Sequence, residues 1–203
     1  MDRREFFKVG LNKVAKAVVN VAEHRAKQKA QNFIRPPFAI DELDFLLACT
    51  RCSACIEACP HQVIFPLSAK LGVQEAKTPA LDLLNKGCHL CQDWPCVTAC
   101  EPGALRRPFE ADEKEEENEK EPVQAVAPPP FATASIDPSR CLPYTGPECG
   151  ACQGSCPVPG ALTWIDEKPR IDKIACLGCA LCREACILEP KAIMIRSRHQ
   201  DDL

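Results

Sequence analysis

Aromatic side chains are scarce in this 203-residue chain: two Trp, one Tyr and eight Phe amount to 5% of it. The hydrophobic share of 46% counts cysteine, so side chains alone make a thin core. Domains that bury too little apolar surface are usually held by covalent or metal staples. A surplus of either charge is also missing, since 28 acidic residues face 25 basic ones for a formal charge of −3. No nucleic-acid partner is expected. Long apolar runs are lacking too: the longest uncharged run beyond the N-terminus, residues 149–165, is interrupted by cysteine, glycine, proline and serine, and no transmembrane span is expected. No C-x-x-C pair is followed by histidine, which excludes a c-type haem.

What is plentiful is cysteine. Sixteen fall into four groups of four with none left over. The first, Cys49, Cys52, Cys55 and Cys59 followed by Pro60, spells C-x2-C-x2-C-x3-C-P, the bacterial 4Fe-4S signature. The second, Cys88, Cys91, Cys96 and Cys100, widens the middle gap. The third, Cys141, Cys149, Cys152 and Cys156 before Pro157, widens the first gap, and Cys176, Cys179, Cys182 and Cys186 return to the parent spacing. Disulfides fit poorly, because cysteines two residues apart make poor bridge partners. Zinc usually takes two separated C-x2-C pairs, whereas three cysteines within seven residues suit a cubane better.

Every group ends in C-x3-C. Three thiolates on a short loop can face one cubane while the fourth, a helical turn further on, points toward a second. In the two-cluster ferredoxin pattern each fourth cysteine serves the partner cluster. The expected ligand sets are therefore Cys49, Cys52, Cys55 with Cys100; Cys88, Cys91, Cys96 with Cys59; Cys141, Cys149, Cys152 with Cys186; and Cys176, Cys179, Cys182 with Cys156. Pairing the first motif with the fourth and the second with the third is the rival topology, and the intervening linker argues against it.

The surrounding sequence repeats with the cysteines. Short apolar stretches at 63–65, 104–105, 161–165 and 192–195 follow the groups and suit short strands. Ile136-Asp137 and Ile171-Asp172 stand before the last two groups, with three residues between each aspartate and its cysteine, and Leu43-Asp44 and Leu81-Asp82 echo them. The frame predicts an α+β protein: two tandem bacterial-type dicluster (2 × 4Fe-4S) ferredoxin domains at residues 36–109 and 132–203, together holding four 4Fe-4S clusters. Between them, residues 110–121 carry eight acids against Lys114 and Lys120, and 122–131 read PVQAVAPPPF. Residues 110–131 are thus a linker, either a solvated spacer or an acidic docking arm.

Residues 1–35 hold nine Lys or Arg against three acids, and Phe7, Leu11, Val14, Val18 and Val21 draw one apolar stripe on a basic amphipathic helix. Such a helix packs on its own domain, grips a partner, or makes peripheral contact with a membrane. Arg3-Arg4-Glu5-Phe6-Phe7-Lys8 resembles a twin-arginine motif. Lys13 and Lys16 interrupt the following segment, however, and no small-residue cleavage site follows. The expected location is cytoplasmic, with twin-arginine export to the periplasm as the alternative.

The run Ile34-Arg35-Pro36-Pro37, then Phe45-Leu46 and Cys49-Thr50-Arg51-Cys52-Ser53-Ala54-Cys55-Ile56, resembles the NapF ferredoxin-type proteins of periplasmic nitrate reduction, as do the third and fourth groups. Cys91-Gln92-Asp93-Trp94-Pro95-Cys96-Val97 is more similar to NapG/MauM-type ferredoxins and to iron-sulfur subunits of molybdoenzymes. The resemblance implies a cytoplasmic accessory protein that engages a molybdenum-containing nitrate reductase, or its precursor, before export.

Thiolate-held cubanes are one-electron carriers. No substrate pocket is evident, so no catalytic residue is assigned and no enzyme is expected. Four oxidised clusters would bring the holoprotein to roughly −11, and a redox partner with a basic docking face is expected. Two functions stay open: an electron carrier, or a maturation factor that assembles cofactors in the apo-oxidoreductase. His61 and His89 beside the cysteines are unnecessary as ligands, and Trp94 and Trp164 are expected to shield clusters from water.

Overall fold

The computed structural model describes residues 33–108 and 128–198, together with helical positions between 19 and 28. The twin-arginine pair, the acidic run at 110–121, and Phe7, Leu11, Val14 and Val18 of the stripe lie outside the described residues. Val21 of that stripe is exposed, whereas Ala26 is buried.

The described residues form short helices and short strands. In order they are α1 (Glu42–Ala48), α2 (Ala54–Glu57), β1 (Ile64–Pro66), β2 (Pro79–Leu81), α3 (Pro95–Thr98), β3 (Ala132–Ile136), α4 (Leu142–Thr145), β4 (Leu162–Ile165), β5 (Lys168–Ile171), α5 (Leu181–Ala185) and β6 (Ile193–Ser197). Among the described residues the strands form three antiparallel pairs, β1–β2, β3–β6 and β4–β5. In the second half an outer pair, from Ala132↔Ser197 to Ile136↔Ile193, encloses an inner hairpin running from Leu162↔Ile171 to Ile165↔Lys168. That hairpin turns through Asp166 and Glu167, both at positive φ, as a two-residue turn of the hand that suits twisted strands. The first half repeats the plan in reduced form: β1–β2 is the inner pair, and an isolated Ala39↔Leu105 bridge stands where the outer pair lies.

The repeated Ile-Asp phrase has a structural cause. The Asp137 amide donates to the Ala192 carbonyl at 2.8 Å, Asp172 to Ala161 at 3.0 Å and Asp82 to Val63 at 2.8 Å, so each aspartate closes a strand pair. Its carbonyl then starts the turn that delivers the next cysteine: Cys141 donates to Asp137 and Cys176 to Asp172. The Asp137 carboxylate accepts from the Ser139 hydroxyl and amide, and Asp172 accepts from the Ile174 amide. The first group differs. Leu43 and Asp44 lie inside α1, and the matching link is made by the Ile40 amide to Ala104 at 3.2 Å. Seven helical residues there replace the short turn, which is why the spacing drifted.

Arg35 anchors the first half. Its guanidinium lies 4.3 and 4.4 Å from the ring centres of Phe33 and Phe45. It donates to both carboxylate oxygens of Glu42 at 3.0 and 2.6 Å, and to Thr78 Oγ1 and the Pro79 carbonyl at 2.8 Å each. The pair is almost fully buried, so removing one partner strands a charge away from water. Arg35→Met or Glu42→Gln is expected to cost about 3–5 kcal/mol in denaturant unfolding, and pairing Arg35→Met with Glu42→Leu should recover part of that loss. A double variant no more stable than the single ones would count against this.

Candidate metal centre

The cysteine loops are wound by left-handed residues. Arg51 and Ser53 flank Cys52 at φ 60° and 68°, and Gly178 and Ala180 flank Cys179 at 81° and 66°. In the second loop Leu90 precedes Cys91 at 50°, and Trp94 at 47° starts α3, where Pro95 takes the first helical turn. Side chains in this region cost energy and persist where the surroundings impose the conformation. Turns of this kind form concavities that hold anions, iron-sulfur centres among them. The helices then turn a further cysteine inward: α2 carries Cys55, α3 Cys96 and α5 Cys182, all buried. The third loop departs from this plan. Its long gap holds α4, and residues around Cys152 form a turn without a helix.

The thiols gather in fours drawn from two motifs each. One pocket is lined by Cys49, Cys52, Cys55 and Cys100. A second is lined by Cys59, Cys88, Cys91 and Cys96, and a third by Cys156, Cys176, Cys179 and Cys182. Electrostatic neighbours come mostly from the same sets, with some from the adjoining one. Burial pushes Cys55 up to about 12, and Cys100, Cys49, Cys96 and Cys52 push it the same way. Cys96 likewise reaches about 12 by burial and then through Cys88, Cys59 and Cys91. Burial takes Cys182 to about 12, with Cys179, Cys176 and Cys156 next in weight. For the remaining four, burial takes Cys152 to about 11, and Cys141, Cys186 and Cys149 add to it.

The donor sets of these sites, four thiols to a space, fit a polynuclear cluster. Burial and crowding disfavour ionising these thiols side by side, and a multiply positive group in their midst would favour the thiolates. Among the described residues, no three His, Cys, Asp or Glu side chains are placed to hold a single metal ion. The sulfurs stand around a space, as a cubane requires and a tetrahedral ion does not. The Leu105 amide donates to Cys100 Sγ at 3.3 Å, a contact of the kind that tunes cluster potentials.

Neighbouring residues divide into those legible in the motifs and those that were not. His61 and His89 stack at 3.6 Å with ring planes 8° apart and line the second cavity. Trp94 is buried edge-on against Phe38 at 5.0 Å, covering the same cavity. Trp164 is half-buried on β4. Arg51 was missed as a positioning residue: it donates to the carbonyls of Cys49, Ala76 and Gln74, clamping the first loop to the β1–β2 connection. Its partners are main-chain oxygens of an irregular loop, which leave no signature in side-chain spacing.

A small α+β chain rich in cysteine, with short strands and short helices, is compatible with a ferredoxin-like fold. Comparison with known proteins agrees. The chain is 32% identical over 211 residues to the methylamine utilization ferredoxin-type protein MauM of Methylobacillus flagellatus, covering 97% of this chain and 84% of the relative. It is 36% identical over 175 residues to the ferredoxin-type protein NapG of Haemophilus influenzae, covering 80% of this chain but 58% of that longer relative. With NapF of Escherichia coli it shares 30% identity over 164 residues, 78% of this chain and 83% of NapF. The chain belongs to this NapG/MauM/NapF family of ferredoxin-type proteins. No protein-family model matches it, and no solved structure does.

Proposed function

We propose that this chain is an electron-transfer protein holding four 4Fe-4S clusters in two dicluster units, and that it serves a molybdenum-containing, nitrate-reductase-like oxidoreductase from the cytoplasmic side. The observation that carries the reading is the lining of three cavities by four cysteines apiece, three from one motif and the fourth from its neighbour. The ligand sets are Cys49, Cys52, Cys55 and Cys100; Cys59, Cys88, Cys91 and Cys96; Cys141, Cys149, Cys152 and Cys186; and Cys156, Cys176, Cys179 and Cys182. Bound there, cubanes supply reversible one-electron chemistry. The protein's own part is to hold the thiolates, aim main-chain amides at the sulfurs as Leu105 does at Cys100, and exclude water with Phe45, Trp94 and Leu105. The family resemblance supports the molybdoenzyme as partner, while the relatedness to methylamine utilization proteins keeps other redox partners within the class.

Anaerobic purification should yield about sixteen iron and sixteen labile sulfide per chain with no stoichiometric zinc. A potentiometric titration followed by electron paramagnetic resonance should then reduce every cluster within the range of cellular donors. Clusters that stay oxidised with all such donors, in a chain that captures the unexported precursor of its partner, would replace the carrier by a maturation factor.

A further inference from the structure

The two halves meet at a built seam, and its chemistry is that of the cysteine loops themselves. The Cys88 amide donates to the Cys179 carbonyl at 2.7 Å. Beside it the Gly87 amide donates to Glu184 Oε2 at 2.8 Å, and Arg183 Nε donates to the Leu84 carbonyl at 3.1 Å. Gly87 is required by close approach, because a Cβ there would lie 2.6 Å from Leu181 Cδ2 and 2.9 Å from Leu181 Cα. Ala132, Cys179 and Ala180 of the second half share one buried cluster with Cys88, Trp94 and Cys96 of the first. This is an interior, continuous across the junction.

The seam decides which thiol sets are neighbours. One buried cluster holds Cys59, Cys88 and Cys96 of the second set beside Cys179 of the fourth. The same cluster takes in Cys55 of the first set, and a second buried cluster holds Cys152 of the third set with Cys182 of the fourth. Sequence order alone suggests two separate pairs joined by a linker.

Resting on the function proposed above, we infer that the seam through Gly87, Cys88, Cys179 and Glu184 joins the four thiol sets into one relay in the order first, second, fourth, third. The set of Cys49, Cys52, Cys55 and Cys100 and the set of Cys141, Cys149, Cys152 and Cys186 are its two ends. An electron crossing the seam oxidises one cluster by one unit and reduces its neighbour by one, with no bond made or broken. It enters from a reduced redox protein at one end and leaves to an oxidised one at the other. Cys52 is exposed, which gives the first set an open face for such a partner.

The test uses the full chain, loaded and fully reduced under anaerobic conditions, and reads spin–spin interaction by paramagnetic resonance. Cys55→Ala with Cys152→Ala disables the end sets and leaves one set per half; it should retain about eight iron and still give an interaction-broadened spectrum. Cys96→Ala with Cys182→Ala leaves only the ends and should give two narrow, independent signals. Narrow signals in the first variant, or broadening in the second, would overturn the order. Should either variant lose its iron, Gly87→Val in the intact chain decides. Broadening must fall while iron is kept, and adding Leu181→Ala must restore it in part; unchanged broadening refutes the seam. A parent chain with no cluster signal would instead refute the function on which this rests.

Discussion

Cys59→Ala is expected to strip the iron held by Cys88, Cys91 and Cys96, not the iron of the motif in which Cys59 itself stands. From about sixteen iron per chain, the variant should keep about twelve. Cys59 follows α2 and lines the second pocket, whereas Cys55 within α2 lines the first together with Cys100. Pro60 follows at once and cannot continue a helix, which fixes the exit there. Iron counting in double variants tells crossed from uncrossed ligation without assigning spectra. Residues acting in one site are non-additive, and those in separate sites add. Cys59→Ala with Cys91→Ala should therefore also keep about twelve iron, while Cys59→Ala with Cys52→Ala should keep about eight. If the motifs were self-contained the two results would exchange places, and the ligand sets proposed here would be wrong. Iron and labile sulfide per chain, measured anaerobically on each purified variant, are the readout.

The contrast between what was legible and what was not follows from where information sits in a chain of this kind. Cysteine spacing is local, and the loops it specifies are local too, so the motif positions and the short strands after them could be read directly. The stretches at 161–165 and 192–195 coincide with β4 and β6, and 63–65 with β1, shifted by a residue. The stretch at 104–105 is only a bridge partner for Ala39, because the first half has no strand long enough to match β3. Aspartates that close strand pairs were visible as a repeated phrase, though α1 displaced the first of them. Long-range main-chain contacts were not visible. The Arg51 clamp uses carbonyls of the β1–β2 connection, and the seam uses the amides of Gly87 and Cys88. Any residue but proline offers an amide, so such contacts leave little trace in composition. The glycine at the seam is the exception, and its reason emerges only when Leu181 is seen against it.

Gly178→Ala is the glycine substitution from which the largest loss of stability is expected. Gly178 sits at φ +81°, and a Cβ on it would lie 2.3 Å from the Ala132 carbonyl oxygen, 2.4 Å from its carbon and 2.5 Å from its side chain. None of these can yield easily. Ala132 opens β3, which pairs with β6 along its whole length, and the Phe131 amide is bonded to the Leu177 carbonyl. Gly160 supplies the control: its φ is +76°, but nothing lies within 4 Å of a Cβ built there. Gly160→Ala therefore reports the conformational strain alone, about 1–2 kcal/mol. Gly178→Ala adds overpacking of about 1–3 kcal/mol. Unfolding that destroys a cluster is irreversible, so a rate is the proper measure. In anaerobic guanidinium, cluster absorbance in Gly178→Ala should bleach roughly 5- to 150-fold faster than in Gly160→Ala if the contact is absent from the transition state. Equal rates would mean that β3 yields to the new methyl group. The wall against which the Cys179 loop is built would then be softer than its hydrogen bonds indicate.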